Sequence, residues 1–129
     1  MADYAIVSLR DVEDQAAKFG FSEVQESRFP WRDLGAASTG LAFHRVKPGC
    51  RQAFAHRHEN AEEIYVVLSG SGRIKLEGDV REVRAMDAIR VAPSVTRAFE
   101  ADADGLELLA FGPHHEADGE LIYEGFWEA

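Results

Sequence analysis

The stretch HRHENAEEIYVVLSGSG, residues 56–72, decides how this chain is read. Two histidines one residue apart lead through a pair of glutamates into a short apolar run that stops at glycines. Residues i and i+2 of an extended strand project from one face, so His56 and His58 can converge on a point while Arg57 turns away. Further on, Glu63 shares its strand face with Tyr65 and Val67, whereas Glu62 shares the opposite face with Ile64 and Val66. With Tyr65 and Val67 facing the interior, Glu63 is the carboxylate that accompanies them. Two imidazoles and one carboxylate form a three-ligand set that suits divalent iron, manganese, nickel or zinc and leaves positions open for a further ligand. The plainer alternative is a polar loop with two ordinary surface histidines.

Working outward, the surrounding pattern is all-β. From Ser38 onward, apolar segments alternate with turn residues at intervals of roughly eight to twelve residues. STGLAFHRVK, EIYVVLSG, RIKLEG, VREVR, AIRVA, TRAFEA and LELLAFG are the predicted strands, with PG, SGSG, EGD, MD, PS and DADG as turns. A closed barrel or jelly roll follows, because closure removes the sheet edges. In RIKLEG, Ile74 and Leu76 alternate with Arg73, Lys75 and Glu77, which predicts one buried and one wet face. In TRAFEA, Arg97 falls on the face of Phe99.

Upstream, YAIVSL (4–9) reads as a short strand. DVEDQAAKFG reads as a helix with Asp11 as N-cap, Val12, Ala16 and Phe19 on one face, and Gly20 as its stop. Residues 22–35 read as an edge strand and a loop. The expected organisation is an N-terminal strand-helix arm over 1–37, a barrel over 38–112 and a tail over 113–129. Leu121, Ile122, Tyr123, Phe126 and Trp127 make that tail too apolar to hang free, so it packs on its own barrel or on the partner of a homodimer, and a homodimer is expected.

Composition bounds the function. The 129 residues, 46% hydrophobic and 29% charged with eight phenylalanines, describe one folded domain. A net charge of -9 works against nucleic acid and anionic membranes. The single cysteine, Cys50, excludes an intrachain disulfide and a cysteine-rich zinc site and reads as a small space-filler. No basic start precedes an apolar stretch, and the longest apolar run, 64–68, is too short for a bilayer. A soluble cytoplasmic protein that binds a small molecule, with no nucleic-acid or membrane partner, is expected.

Gly49, the six residues CRQAFA, HRH, four residues, Glu63, six residues and Gly70 together resemble the first signature motif of the cupin superfamily, with one extra residue after Gly49. The four-residue gap selects Glu63 over Glu62, in agreement with the strand-face argument. The second family motif, built on a proline, a glycine, a histidine and an asparagine, is matched in outline by DAIRVAPSVTRAFEA (87–101). There Pro93 is retained, while Ser94, Arg97 and Ala101 stand in place of the glycine, histidine and asparagine. The resemblance, over about residues 38–112, implies a double-stranded β-helix, the jelly-roll cupin barrel. It also implies a divalent transition metal held by His56, His58 and Glu63 in place of the usual four protein ligands.

Arginine stays protonated and has no lone pair to offer a metal, so Arg97 cannot replace the missing histidine. An inward-facing cation needs an anion. Three placements are open: a salt bridge to Glu63, a grip on the carboxylate or phosphate of a ligand with Tyr65 beside it, or a turn outward to solvent. His44, which alternates with Arg45, is a candidate for a further metal ligand or a group supporting one. The adjacent His114 and His115 read as part of a polar surface turn. Two functions follow from the resemblance: a metal-dependent enzyme of oxygenase, isomerase or decarboxylase type acting on a small anion anchored by Arg97, or a non-catalytic barrel that binds or senses a small molecule, with or without metal.

Overall fold

The computed structural model describes residues 3–129, so the first two residues of the expected N-terminal arm lie outside it. The described residues are dominated by strands: β1 (Gln25–Arg28), β2 (Thr39–Val46), β3 (Ala55–His58), β4 (Glu63–Leu76), β5 (Asp79–Arg84), β6 (Ala88–Val91), β7 (Arg97–Pro113) and β8 (Gly119–Ile122). They form one curled, wholly antiparallel sheet in the order β1-β2-β7-β3-β8, with β4 joined to β5, β6 and β7. This is the all-β barrel that the alternation predicts. Its interior is filled by Val46, Val67, Ile74, Val91, Phe99, Leu106 and Leu108, each at most 2% exposed and drawn from four strands. No helix among the described residues is long and apolar enough to cross a membrane.

Two expected turns are parts of strands. SGSG lies within β4 and DADG within β7, and the two long strands pair from Ile64↔Phe111 to Leu76↔Arg97. The glycines serve close approach of backbones instead of chain reversal. Gly70 has φ +79°, and a Cβ there would lie 1.9 Å from the Gly105 carbonyl oxygen; a Cβ on Gly72 would lie 2.0 Å from that of Glu100. The register shifts between Val67 and Ser69 and again between Gly70 and Gly72, as expected where a strand is bulged and bent to follow a barrel wall.

The N-terminal segment also differs from expectation. Residues 4–8 form no strand, and a single 3₁₀ turn covers Leu9–Asp11. The helix, α1 (Gln15–Lys18), starts after Asp14, not Asp11. Asp14 wins because its Oδ1 satisfies two backbone donors, Ala16 N at 3.0 Å and Ser27 N at 2.9 Å, capping the helix and tying it to β1. Gly20, at φ +85°, follows the helix as its stop. A second short helix, α2 (Trp31–Leu34), follows β1.

Lys75 is a further correction. Alternation put it on a wet face, yet it is 2% exposed, because the C-terminal tail covers that face and takes the ammonium onto the carbonyls of Phe126 and Ala129 and over the Phe126 ring. Within the chain the tail contributes β8, which pairs with β3 of the barrel.

Candidate metal centre

The centre sits where three strands begin or end. β3 carries His56 and His58; β4 starts at Glu63; β7 starts at Arg97, which pairs in register with His56. The alternation of β3 points both histidines inward as expected, and their ligand atoms lie within 4.8 Å of one another and of a Glu63 carboxylate oxygen. Nε2 of His56 is 3.3 Å from Glu63 Oε1, and Nε2 of His58 is 3.7 Å from the same oxygen. All three side chains are about one-fifth exposed, so the triangle opens to solvent at the rim while its support is buried. Glu62 points away and pairs with exposed Arg90 at 3.5 Å.

Of the three placements open to Arg97, the structure shows the pairing with Glu63. The guanidinium is 0% exposed and donates from Nη2 to Glu63 Oε1 at 2.9 Å, from Nε to the Tyr65 hydroxyl at 3.1 Å, and from Nη1 to the carbonyls of Pro93 and Val95 at 3.2 and 2.7 Å. Tyr65, 2% exposed, donates its own hydroxyl to the same Glu63 oxygen. Arg97 and Tyr65, read from the sequence as ligand-binding groups, thus stand behind the carboxylate and not on the solvent side of it.

The electrostatics follow from this packing. Burial alone would raise the pKa of Glu63, but the imidazoles of His56 and His58 and the Tyr65 hydroxyl hold it far below the usual carboxylate range. Burial lowers the pKa of His56, against the pull of Glu63, so its ring is neutral near pH 7 and keeps a lone pair for a metal. Burial pushes the Tyr65 hydroxyl well above its ordinary value, with the Glu63 charge acting in the same sense, which disqualifies it as a base. Arg97 stays cationic: burial opposes its charge, but Tyr65 and Glu63 prevail.

These residues fit a divalent ion. Metal–ligand bonds of about 2.0–2.2 Å place neighbouring ligand atoms roughly 3 Å apart; the two histidine-to-carboxylate separations here are 3.3 and 3.7 Å. Both ring nitrogens of His58 are buried without a regular hydrogen bond, a condition that costs free energy unless something accepts a lone pair or receives a proton there.

His44 lies outside this triangle. Its strand parity is that of buried Ala42 and Val46, so it faces the interior, but its Nδ1 is 2.9 Å from the Ser27 hydroxyl. Gln25 accepts from the Ala53 N–H through Oε1 at 2.7 Å, which orients its amide to donate to Ser27 Oγ at 3.0 Å, so His44 closes a buried polar chain. Burial lowers the pKa of His44 from 6.5 to about 4, with Glu63 opposing the shift. His114 stacks on Trp31 at 4.1 Å, outside the triangle.

The residue that sequence reasoning missed is Asp118. Its Oδ2 is 3.3 Å from His58 Nδ1, and no spacing rule connects it to a histidine sixty positions earlier. The only signal was an acidic residue just before an apolar tail, which is common on surfaces.

Comparison with known proteins agrees with this geometry. The family model described as Cupin domain matches residues 42–112. An uncharacterized protein of Methanocaldococcus jannaschii is 28% identical over 80 residues, 60% of this chain and 64% of the relative, so the match spans less than two thirds of that relative's length. Among solved structures, a cupin protein from Bacteroides fragilis superposes with a TM-score of 0.70 at 24% identity, covering 97% of each chain. The polyketide cyclase RemF from Streptomyces resistomycificus gives 0.74 at 21% identity, covering 94% of this chain and 87% of the other. An oxalate decarboxylase variant from Bacillus subtilis gives 0.74 at 19% identity, covering 90% of this chain and 32% of its own. At these identities the superpositions speak for the fold.

Proposed function

The chain belongs to the cupin domain family, and from that premise we propose that it binds a divalent transition metal through His56, His58 and Glu63 and, beside it, a small anionic ligand. The observation that carries this reading is the convergence of three metal-ligating atoms at a solvent-reaching rim, with His58 Nε2 buried and unpartnered. The preference for an anion comes from charge. Arg97 and Glu63 cancel and the His56 ring is neutral, so the charge of a bound dication is offset only by the Asp118 carboxylate behind His58, and the remaining positive charge attracts a carboxylate. Arg97 and Tyr65 serve the ligand indirectly, by fixing the Glu63 carboxylate. When bound, the metal supplies a Lewis acid and a coordination position for the ligand.

A binding or sensing role is favoured over turnover because proton carriers are few: the Tyr65 hydroxyl is held protonated and Glu63 ionised. A second reading, a metal-free barrel closed by the Arg97–Glu63 pair, is favoured by the 2.9 Å contact between them.

Elemental analysis of purified protein, before and after incubation with iron, manganese, nickel and zinc, separates the two. Near-stoichiometric metal in the wild type and none in His56→Ala supports the metal site. Calorimetric titration with small carboxylates then tests the ligand, and oxalate is a reasonable first probe given the structural likeness to its decarboxylase. Absence of metal under all four conditions overturns the reading in favour of the ion-paired barrel.

A further inference from the structure

We infer that Asp118 is the positioning residue of the metal centre: its carboxylate orients the His58 imidazole and selects the tautomer whose Nε2 lone pair faces the other ligands. The inference rests on the metal-binding reading above and adds to it a residue from outside the family-matched segment.

Asp118 is a buried carboxylate, 8% exposed, at the turn that feeds β8. Its two oxygens have separate tasks. Oδ1 accepts from the Asn60 backbone N–H and from Asn60 Nδ2, both at 2.9 Å, while Oδ2 accepts from the Ala61 N–H at 2.9 Å and lies 3.3 Å from His58 Nδ1. The loop between His58 and Glu63, which sets the distance between two of the three ligands, is therefore held at its centre by one side chain.

A carboxylate oxygen 3.3 Å from Nδ1 favours a proton on that nitrogen, because an N–H there is attracted and a lone pair is repelled. The neutral ring has one proton, so a proton on Nδ1 leaves Nε2 bare. Neither ring nitrogen of His58 makes a regular hydrogen bond; Glu63 Oε1 faces Nε2 from 3.7 Å but already accepts from Tyr65 and Arg97, whereas Asp118 Oδ2 is nearer to Nδ1, at 3.3 Å. Carboxylate partners of ligating histidines act in this way, and their loss typically weakens metal binding about 10- to 100-fold. Strand pairing supports the assignment. β8 lies against β3 with Gly119 opposite His58 and Leu121 opposite His56, so Asp118 is delivered to the ring by a register that also holds the histidine strand.

The test uses full-length wild type and Asp118→Asn, which keeps an acceptor for the loop N–H groups but removes the charge. Zinc affinity is measured by competition with a chromophoric chelator, and the His58 tautomer is read from its ring nitrogen shifts by NMR in the metal-free proteins at one fixed pH. The expected result is the Nδ1–H form in the wild type, a mixture or the Nε2–H form in Asp118→Asn, and zinc affinity about 10- to 100-fold lower in the variant. Zinc binding by the wild type with affinity equal in the variant overturns the inference and leaves the metal site standing. A wild-type His58 with its proton on Nε2 overturns it too, and that reading needs no folded variant. Failure of the wild type to bind zinc, iron, manganese and nickel alike, with the tautomer switch intact, overturns the metal-binding reading and supports Asp118 as the group that sets the ring.

Discussion

β4 and β7 each run through two regions built on opposite terms. At their first residues the two strands carry Glu63, Tyr65 and Arg97, held by hydrogen bonds and opposite charges; further along, Val67, Ile74, Phe99, Leu106 and Leu108 pack without polar partners. The apolar region is stabilised by area and shape, which degrade gradually as atoms are removed. The polar region is balanced, because each buried charge is tolerable only while its partner remains. One strand pair can therefore carry both a forgiving core and a site in which a single deletion strands a charge.

The largest expected effect breaks that balance. Glu63→Leu leaves the buried Arg97 guanidinium without its anion and is expected to cost about 3–5 kcal/mol in metal-free protein, read from urea midpoints. Adding Arg97→Met should restore most of that loss, because two apolar side chains can replace a buried ion pair at little net cost; a double variant no better than Glu63→Leu would contradict the account. Leu108→Ala, in the apolar region, should cost about 2–5 kcal/mol by leaving a cavity. No second substitution at a charged site should rescue it.

A smaller effect concerns pH. The folded-state pKa of His44 is lowered from 6.5 to about 4, so between these values the unfolded chain binds a proton that the folded chain excludes. Stability therefore falls as pH drops through that window, by at most roughly 3 kcal/mol at 1.36 kcal/mol per pH unit. Urea midpoints of wild type and His44→Gln at pH 7, 5.5 and 4.5 should converge on acidification as the variant loses this dependence; parallel curves would show that His44 protonates freely. The smallest effect is expected for Glu62→Ala, whose exposed pair with Arg90 contributes less than about 1 kcal/mol, and whose metal content should equal that of wild type.

The same contrast explains what was legible in the sequence. Period-2 alternation put His56 with His58 on one strand and Glu63 with Tyr65 and Val67 on the next, because strand parity is local; the resemblance to the family motif implied that the two sets meet. Arg97 needed only parity to be read as inward, but its partner could not be chosen among three without the tertiary neighbours. SGSG and DADG misled because serine, aspartate and glycine look alike in a turn and in a bent strand; only the carbonyl of the facing strand reveals that no side chain fits. Lys75 was assigned the correct side of its strand, and the tail that buries it lies some fifty residues later. Asp118 was illegible for the same reason, since its partners on Asn60 and Ala61 are 58 and 57 residues away.

The position of β8 has a consequence for biosynthesis. As the chain leaves the ribosome, the three ligands emerge early, the counter-ion of Glu63 only with Arg97, and the brace of His58 only with Asp118. A partly made barrel thus holds all the metal-binding atoms yet none of the restraints that aim them. On the proposed reading, tight metal capture is a late event in maturation, and fraying of this four-residue edge strand is the route by which a captured ion would leave.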